Sequence, residues 1–223
     1  MVVSNTDNVL AQVSPDGKWV LYREDREKGT KMRFMRVPMK GGTPEPIPGT
    51  DNVECVRCGH QPGSRCVLRS TENDQFVFYE LDPLRGRGRE LARTVWSPTT
   101  QDDWNISPDS RFAAMPNHDP RTAIIRVISL DATQADAAER VVTINGMKNL
   151  YSLVWAANGE GWYAVEVTPL DRVLFYVDAD GAHSWELVRS SMVLWAVPSP
   201  GGRKIAFPQD TPWSNVYLVK RFR

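Results

Sequence analysis

The sequence predicts an all-β protein, a β-propeller of about five four-stranded antiparallel blades. One short pattern recurs five times along the 223 residues, at offsets of 47, 46, 49 and 43 residues, with copies that start at Pro15, Pro62, Pro108, Ala157 and Pro200. A period in the forties is the length of one four-stranded propeller blade. No segment longer than about ten residues has the 3.6-residue apolar period of a helix, so we expect strands alone.

The first repeat shows how each unit makes a blade. The inner strand is predicted at residues 9–13. Pro15-Asp16-Gly17 then forms a tight turn, because proline pre-sets φ and glycine accepts the positive φ that closes a hairpin. The second strand is predicted at residues 18–23, the third at 31–37 and the outer one at 45–48. Prolines in the last of these suit an exposed edge that need not donate every hydrogen bond.

The other repeats follow the same order. Third strands are predicted at residues 75–81, 123–130, 172–177 and 215–220, and outer strands at 89–94, 139–144 and 183–189. Aspartate follows the third strand in three units, as expected where a strand runs into a turn, at Asp82, Asp131 and Asp178.

The ends of the chain leave two interpretations open. The last repeat stops after its third strand. Residues 2–4 either complete the fifth blade and close the ring, which removes exposed edges, or belong to an earlier blade that is missing. The sequence therefore predicts a single propeller domain over residues 1–223, or the C-terminal part of a larger propeller.

The composition excludes several classes of partner. The 27 basic and 27 acidic side chains balance, so no net field attracts nucleic acid or an anionic membrane. No apolar run approaches the roughly 18 residues that cross a bilayer. The N-terminus has no basic segment before an apolar core, so it is not a signal peptide. We expect no nucleic acid partner, no direct membrane insertion, and either a cytoplasmic location or an export signal outside this sequence.

Three cysteines lie close together at Cys55, Cys58 and Cys66. Cys55-x-x-Cys58 suggests zinc or redox chemistry, but a structural zinc site needs four ligands. Only Cys66 and His60 are near this pair, and the sequence has no second Cys-x-x-Cys. Cys58 and Cys66 flank a turn between two predicted strands, where a cross-strand disulfide is sterically plausible. A disulfide, a zinc site and free buried thiols remain the alternatives, and a disulfide would imply an oxidising compartment.

Motifs of the common enzyme classes are absent from the sequence. It contains no Gly-x-Ser-x-Gly elbow, no phosphate-binding loop and no His-Glu-x-x-His helix. We therefore expect no enzyme and no cofactor. We also expect no metal, because the three histidines fall at unequal positions in three different repeats: His60, His118 and His183. The alternative is a small propeller glycosidase or lyase with channel carboxylates. Asp102 and Asp103 are its candidates, since paired carboxylates serve as acid and base or bind calcium, although a solvated loop is the plainer interpretation.

Two further features concern binding. The basic stretch Arg85-Gly86-Arg87-Gly88-Arg89 could hold a phosphate or an acidic partner, but an exposed loop is favoured. Among the eight tryptophans, four are predicted to fill the space between blades: Trp19, Trp155, Trp162 and Trp195. Trp104 and Trp213 lie near strand ends and are our candidates for contact with a partner, together with Asp102 and Asp103.

The turn pattern resembles the TolB-type, WD40-like propeller repeat of bacteria. It appears as Ser-Pro-Asp-Gly at residues 14–17, with Ser110 for glycine at residues 107–110, and with Gly201 for aspartate at residues 199–202. The Gly-His and Trp-Asp dipeptides of eukaryotic WD40 repeats are missing, which favours the bacterial type. The resemblance covers the whole chain and implies a propeller fold.

A narrower resemblance is to the C-terminal propellers of bacterial receptor-type Ser/Thr kinases and winged-helix regulators. It rests on Cys58-x7-Cys66-Val67-Leu68, Leu81-Asp82-Pro83-x-Arg85-Gly86-x-Gly88-Arg89-Glu90-Leu91 and Trp104-x-Ile106-Ser107-Pro108-Asp109. It implies a sensor or recognition module that binds a protein or peptide, and an extracytoplasmic or periplasmic location if the effector is anchored in a membrane. The sequence itself identifies neither the ligand nor the partner.

Overall fold

A computed structural model describes residues 7–25, 32–51, 53–95, 103–117, 121–131, 139–209 and 215–220. These residues form the strands β1 to β19, and all their pairings are antiparallel. Within the described ranges, no helix is long and apolar enough to span a bilayer. The chain divides into two compact units, Met1–Trp96 with Leu130–Ala137, and Ser97–Ser129 with Ala138–Arg223. The predicted single domain over residues 1–223 stays a prediction.

The first unit contains two four-stranded sheets, each with its strands in chain order. The first sheet consists of β1 (Asp7–Val13), β2 (Trp19–Asp25), β3 (Arg33–Pro38) and β4 (Glu45–Pro46). The second consists of β5 (Cys55–Cys58), β6 (Cys66–Glu72), β7 (Gln75–Asp82) and β8 (Gly86–Val95).

The second unit contains three sheets. The third sheet consists of β9 (Asn105–Ile106), β10 (Phe112–Asn117), β11 (Ile124–Ser129) and β12 (Arg140–Thr143). The fourth consists of β13 (Leu150–Trp155), β14 (Gly161–Val167), β15 (Arg172–Asp178) and β16 (Ser184–Ser190). The fifth consists of β17 (Val197–Pro198), β18 (Lys204–Gln209) and β19 (Asn215–Lys220).

The number of complete blades differs from the prediction. Four of the five repeats form four-stranded sheets, and the fifth forms a three-stranded one. The expectation of about five four-stranded blades is therefore corrected to four, because the described residues supply no outer strand next to β19. Residues 2–4, which we expected to complete a blade, lie outside the described residues.

The first hairpin of the first sheet is closed by the predicted turn. The Ser14 N–H donates to the Trp19 carbonyl oxygen at 2.9 Å, and the Gly17 N–H donates to the Ser14 carbonyl oxygen at 2.8 Å. The Ser14 hydroxyl accepts the Trp19 N–H at 3.0 Å and donates to the Asp16 carboxylate at 2.6 Å, which also accepts the Lys18 N–H. Gly17 has a φ of 68°, which glycine adopts without steric cost. One buried hydroxyl thus holds both sides of the turn.

The third sheet repeats this turn without glycine. The Ser107 hydroxyl accepts the Phe112 N–H at 3.0 Å and donates to Asp109 at 2.6 Å, and the Asp109 carboxylate accepts the Arg111 N–H. Ser110 occupies the position of Gly17, with a φ of 60° and a fully buried side chain. The turn therefore keeps its backbone geometry where the sequence departs from the pattern.

The remaining turns of the second unit keep the backbone bonds. In the fifth sheet the Ser199 N–H donates to the Lys204 carbonyl at 2.8 Å, and the Gly202 N–H donates to Ser199. In the fourth sheet Ala156 replaces the serine, and the Gly159 N–H donates to its carbonyl at 2.9 Å. The backbone bond spanning three residues is therefore the constant element, and the serine hydroxyl adds to it.

Each unit buries its own apolar core. Strand β7 is buried along most of its length, because both of its faces are covered. In the first unit, a cluster from both sheets includes Leu21, Phe34, Leu68 and Val77. In the second unit, one cluster joins the third and fourth sheets and another joins the fourth and fifth.

A disulfide lies within the first unit's core. Cys58 and Cys66 are paired across β5 and β6, with Cα atoms 3.9 Å apart, and their sulfurs are bonded. Both side chains are buried, and Cys55 is a buried free cysteine. The predicted disulfide is therefore present, and its two cysteines are not available as zinc ligands.

Replacing Ser14 by alanine should lower the free energy of unfolding by about 1–3 kcal/mol, because the Trp19 N–H loses a buried acceptor. Chemical denaturation measures the change. Ser191→Ala, on an exposed side chain, should change it by less than about 0.5 kcal/mol. Equal losses in the two variants would contradict this role for Ser14.

Replacing Cys58 and Cys66 together by alanine should lower stability by about 2–3 kcal/mol, since the disulfide closes a short loop. Thermal unfolding with and without a reductant measures this. The reductant should lower the melting temperature of the wild type and leave that of the double variant unchanged. An insensitive wild type would show that no disulfide contributes to stability.

Candidate functional site

The predicted binding residues do not come together as a site. Trp104 is fully buried within the structure, so the expectation that it contacts a partner is wrong for its observed position, and its ring contributes to packing. The sequence pattern places Trp104 near a strand end, but the side chain of a strand-end residue can still point inwards. Trp213 and Asp102 lie outside the described residues, so their proposed roles stay predictions.

Asp103 has a structural contact in the second unit. Its side chain is partly buried, and its Oδ2 accepts the Leu153 N–H at 3.2 Å. This bond fixes the residues before β9 against β13, the first strand of the next sheet. The glycosidase or lyase alternative requires two carboxyl groups roughly 5–10 Å apart in the channel, and the predicted pair is Asp102 and Asp103. Since Asp102 is outside the described residues, that alternative stays a prediction.

The basic stretch at residues 85–89 is mostly strand and not an exposed loop. Strand β8 begins at Gly86, which has a φ of 87° and is buried. A Cβ on Gly86 would collide with the Pro48 carbonyl oxygen, so only glycine allows the two segments of the chain to approach this closely. Arg87 and Arg89 form ion pairs with glutamates at 2.8 and 3.5 Å. These pairs account for Arg87 and Arg89 without a bound phosphate.

The most compact of these ion pairs includes an aromatic ring. Glu72 receives hydrogen bonds from Arg87 at 2.8 Å and from the Tyr79 hydroxyl at 3.0 Å, and the Arg87 guanidinium lies 3.5 Å from the Tyr79 ring centroid. Desolvation acts against ionisation of Glu72, but the hydrogen bonds from Arg87 and Tyr79 outweigh it and hold the pKa of the carboxyl below its usual value. Desolvation, with Glu72 nearby, raises the pKa of the Tyr79 phenol.

Because the pKa of Glu72 is lower in the folded state, its contribution to stability is present above the unfolded pKa and is lost as the pH falls through the folded value. Glu72→Gln should therefore destabilise the protein more at pH 7 than at pH 3. Denaturation at both pH values measures the difference. Glu160→Gln, which removes an exposed carboxylate hydrogen-bonded to Asn158, is the control. A loss from Glu72→Gln that is equal at both pH values would contradict the assignment.

The second unit carries a different surface group where β15 turns into β16. It consists of Tyr176, Asp178, Asp180, His183 and Trp185, and we call it the Trp185 face. The Asp178 carboxylate accepts the His183 N–H at 3.1 Å and lies 2.8 Å from the His183 Nδ1. Asp180 accepts the Ala182 N–H at 2.9 Å. These bonds order the turn and hold both carboxylates beside the imidazole.

The aromatic rings of the Trp185 face form a row. Trp185 is paired with Tyr176 across β15 and β16, and their ring centroids are 5.8 Å apart. The His183 ring stacks on the Trp185 ring, with their centroids 6.0 Å apart and an interplanar angle of 28°. The row continues inwards from Tyr176 to the buried Tyr163 at 5.5 Å. Trp185 is nevertheless 52% exposed, so it is a fixed ring that solvent can reach.

The charge at this turn differs from that at the same repeat position in the first unit. There, the pKa of Asp82 is lowered first by the Arg85 backbone N–H and further by the charges of Arg85 and Arg36, against desolvation. At Asp178, desolvation is outweighed by the bonds from His183 and Asp180, which lower its pKa. Among the described residues, no lysine or arginine forms an ion pair with Asp178 or Asp180.

This group was not predicted from the sequence. His183 was considered only as one of three histidines at unequal repeat positions, whereas the potential ligand atoms of Asp178, Asp180 and His183 all lie within 4.8 Å of one another. The signal was the spacing Asp-x-Asp-x-x-His over a predicted turn, which brings the two sides of a hairpin together. The arrangement can attract a cation, because two carboxylates adjoin an imidazole that is charged only when protonated.

Comparison with solved structures identifies the fold. TolB from Acinetobacter baumannii superposes with a TM-score of 0.74 at 12% identity, over 98% of this chain and 53% of that one. The fold is that of a TolB-like β-propeller. A protein assigned as TolB from Agrobacterium tumefaciens gives a TM-score of 0.71 at 16% identity, over 97% of this chain and 78% of that one. The chain thus spans about half the length of the Acinetobacter protein.

A third similar structure is a chain of a nidogen–laminin complex, with a TM-score of 0.62 at 13% identity, over 92% of this chain and 72% of that one. No protein-family model matches the sequence, and no curated protein matches it. At these identities the likeness of the chain to these structures concerns the fold alone.

Proposed function

We propose that this chain is a non-enzymatic recognition module that binds a protein or peptide partner. The TolB-like fold supports the proposal, because propellers present rigid loops and strand edges to partners. A similar chain occurs in a protein complex, that of nidogen and laminin. The absence of the catalytic motifs from the sequence is in keeping with a binding role.

The observation that carries the proposal is the exposed, rigidly held Trp185. Trp155 and Trp162, on the first two strands of the same sheet, are buried as core residues. Trp185 lies on the outer strand and keeps half of its surface in solvent while it packs on Tyr176. Tryptophan is enriched among the residues that dominate binding energy at protein interfaces. A ring that is already immobilised loses little side-chain entropy on binding.

The sensor role belongs to the same proposal. It rests on the sequence resemblance to the C-terminal propellers of receptor-type kinases and winged-helix regulators. The Cys58–Cys66 disulfide is in keeping with an extracytoplasmic position, since disulfides persist in oxidising compartments. A partner bound by such a module would report on conditions outside the cell to an attached effector.

Selection of a displayed random dodecapeptide library on the purified chain tests the proposal. We expect enriched sequences that bind as synthetic peptides, with dissociation constants in the micromolar range by calorimetry. Trp185→Ala should weaken this binding at least about fivefold, which corresponds to roughly 1 kcal/mol, a usual threshold for a residue that matters to binding. Val141→Ala, an exposed apolar residue on β12, is the control.

The result that would contradict a recognition module is a selection without any binding peptide, together with turnover of a glycan or peptide panel. Such turnover would favour the glycosidase or lyase alternative. The same purified chain serves both assays, so one preparation decides between them.

A further inference from the structure

We propose, building on the recognition role above, that the Trp185 face docks an arginine or lysine side chain of an extended, basic peptide. The guanidinium or ammonium group would lie over the exposed face of Trp185 and face the carboxylates of Asp178 and Asp180. The proposal follows from three features of this face: a fixed aromatic ring, an unbalanced negative charge and an outer strand.

The first feature is the aromatic ring. The ring of Trp185 packs beside Tyr176 and His183, with centroid distances of 5.8 and 6.0 Å, and is 52% exposed. A cation over the face of an indole is attracted by the ring quadrupole, and tryptophan is the best of the aromatic side chains for this contact. The protein already uses the same contact internally, where Arg87 lies over Tyr79 at 3.5 Å and Arg172 lies over Tyr151 at 4.5 Å.

The second feature is the charge. With the His183 imidazole unprotonated, Asp178 and Asp180 give the turn two negative charges, and no lysine or arginine in the described ranges forms an ion pair with either. On the same strand as Trp185, Glu186 is neutralised by Arg189 at 2.6 Å. The negative charge is therefore concentrated at the turn beside the ring, which is complementary to a cationic side chain.

The third feature is the position on the sheet. Strand β16 is the outermost strand of the fourth sheet, so an extended chain can run along it. Charged side chains on an outer strand discourage strand pairing. Strand β16 carries two of them, Glu186 and Arg189, whereas the other long outer strand, β8, carries four: Arg87, Arg89, Glu90 and Arg93. A peptide is thus a better occupant of this face than an isolated amine.

The experiment measures the fluorescence anisotropy of a labelled glycine–serine decapeptide that carries three arginines. Its partner probe has glutamine in place of each arginine. We expect the arginine probe to bind the wild-type chain at least about tenfold more tightly than the glutamine probe. Trp185→Ala should weaken the arginine probe by between about twofold and thirtyfold, the range of an exposed to a desolvated cation–π contact.

Three variants separate binding from folding. Trp185→Phe keeps a ring and should retain most of the affinity. The double variant Asp178→Asn/Asp180→Asn removes the charges while its amide oxygens can still accept the backbone N–H groups of the turn, and it should lose affinity about as much as Trp185→Ala. Glu186→Gln/Arg189→Gln removes a neutral pair from the same strand and should change affinity less than twofold. Unchanged thermal unfolding temperatures confirm that the variants are folded.

Equal binding of the two probes, or unchanged binding of the arginine probe to folded Trp185→Ala, would overturn the docking surface. The recognition role would survive this result if peptides selected from the library still bind the chain. Saturable binding of Ca²⁺ or Mn²⁺ alone, abolished by the double asparagine variant and blocking the arginine probe, would also overturn the proposal. That outcome would assign the turn to a metal ion.

Discussion

The short backbone turn that closes the first hairpin in most of the sheets is the constraint on which the rest of the structure depends. In the first sheet the Gly17 N–H donates to the Ser14 carbonyl, and equivalent bonds recur at Ser110, Gly159 and Gly202. The turn sets the register of the two strands that it joins. Register decides which side chains point towards the neighbouring sheet, because a slip of one residue moves every side chain to the opposite face. The buried clusters of both units follow from it.

The fold could be predicted largely because this turn chemistry is local. Strand β19 has the predicted bounds, and the other third strands agree to within about two residues. The outer strands β12 and β16 agree with their predicted bounds to within one residue, but β8 does not. Strand β8 starts at Gly86, three residues before its predicted start, because Gly86 fits against the Pro48 carbonyl. That approach depends on a residue 38 positions away, which no local pattern reveals.

The candidate site could be predicted only in part. A tryptophan near a strand end can face either way, and the structure buries Trp104 and exposes Trp185. The difference comes from the sheet that covers each ring, which is a tertiary property. His183 was spaced correctly from Asp178 for a cross-hairpin contact, but the contact becomes apparent only when both ends of the turn are placed. The disulfide was more accessible, since two cysteines flanked a predicted hairpin.

The substitution of Ser110 for glycine has a consequence for how such chains diverge. Ser110, a residue with a side chain, occupies the left-handed position and the turn is kept. Even the glycine of the turn pattern can therefore be replaced while the backbone hydrogen bonds persist. A handful of backbone-dictated positions in each unit is then enough to keep the turn, and the other positions can vary. Two chains can therefore share this fold while few of their residues are identical, as the 12% identity over 98% of the chain illustrates.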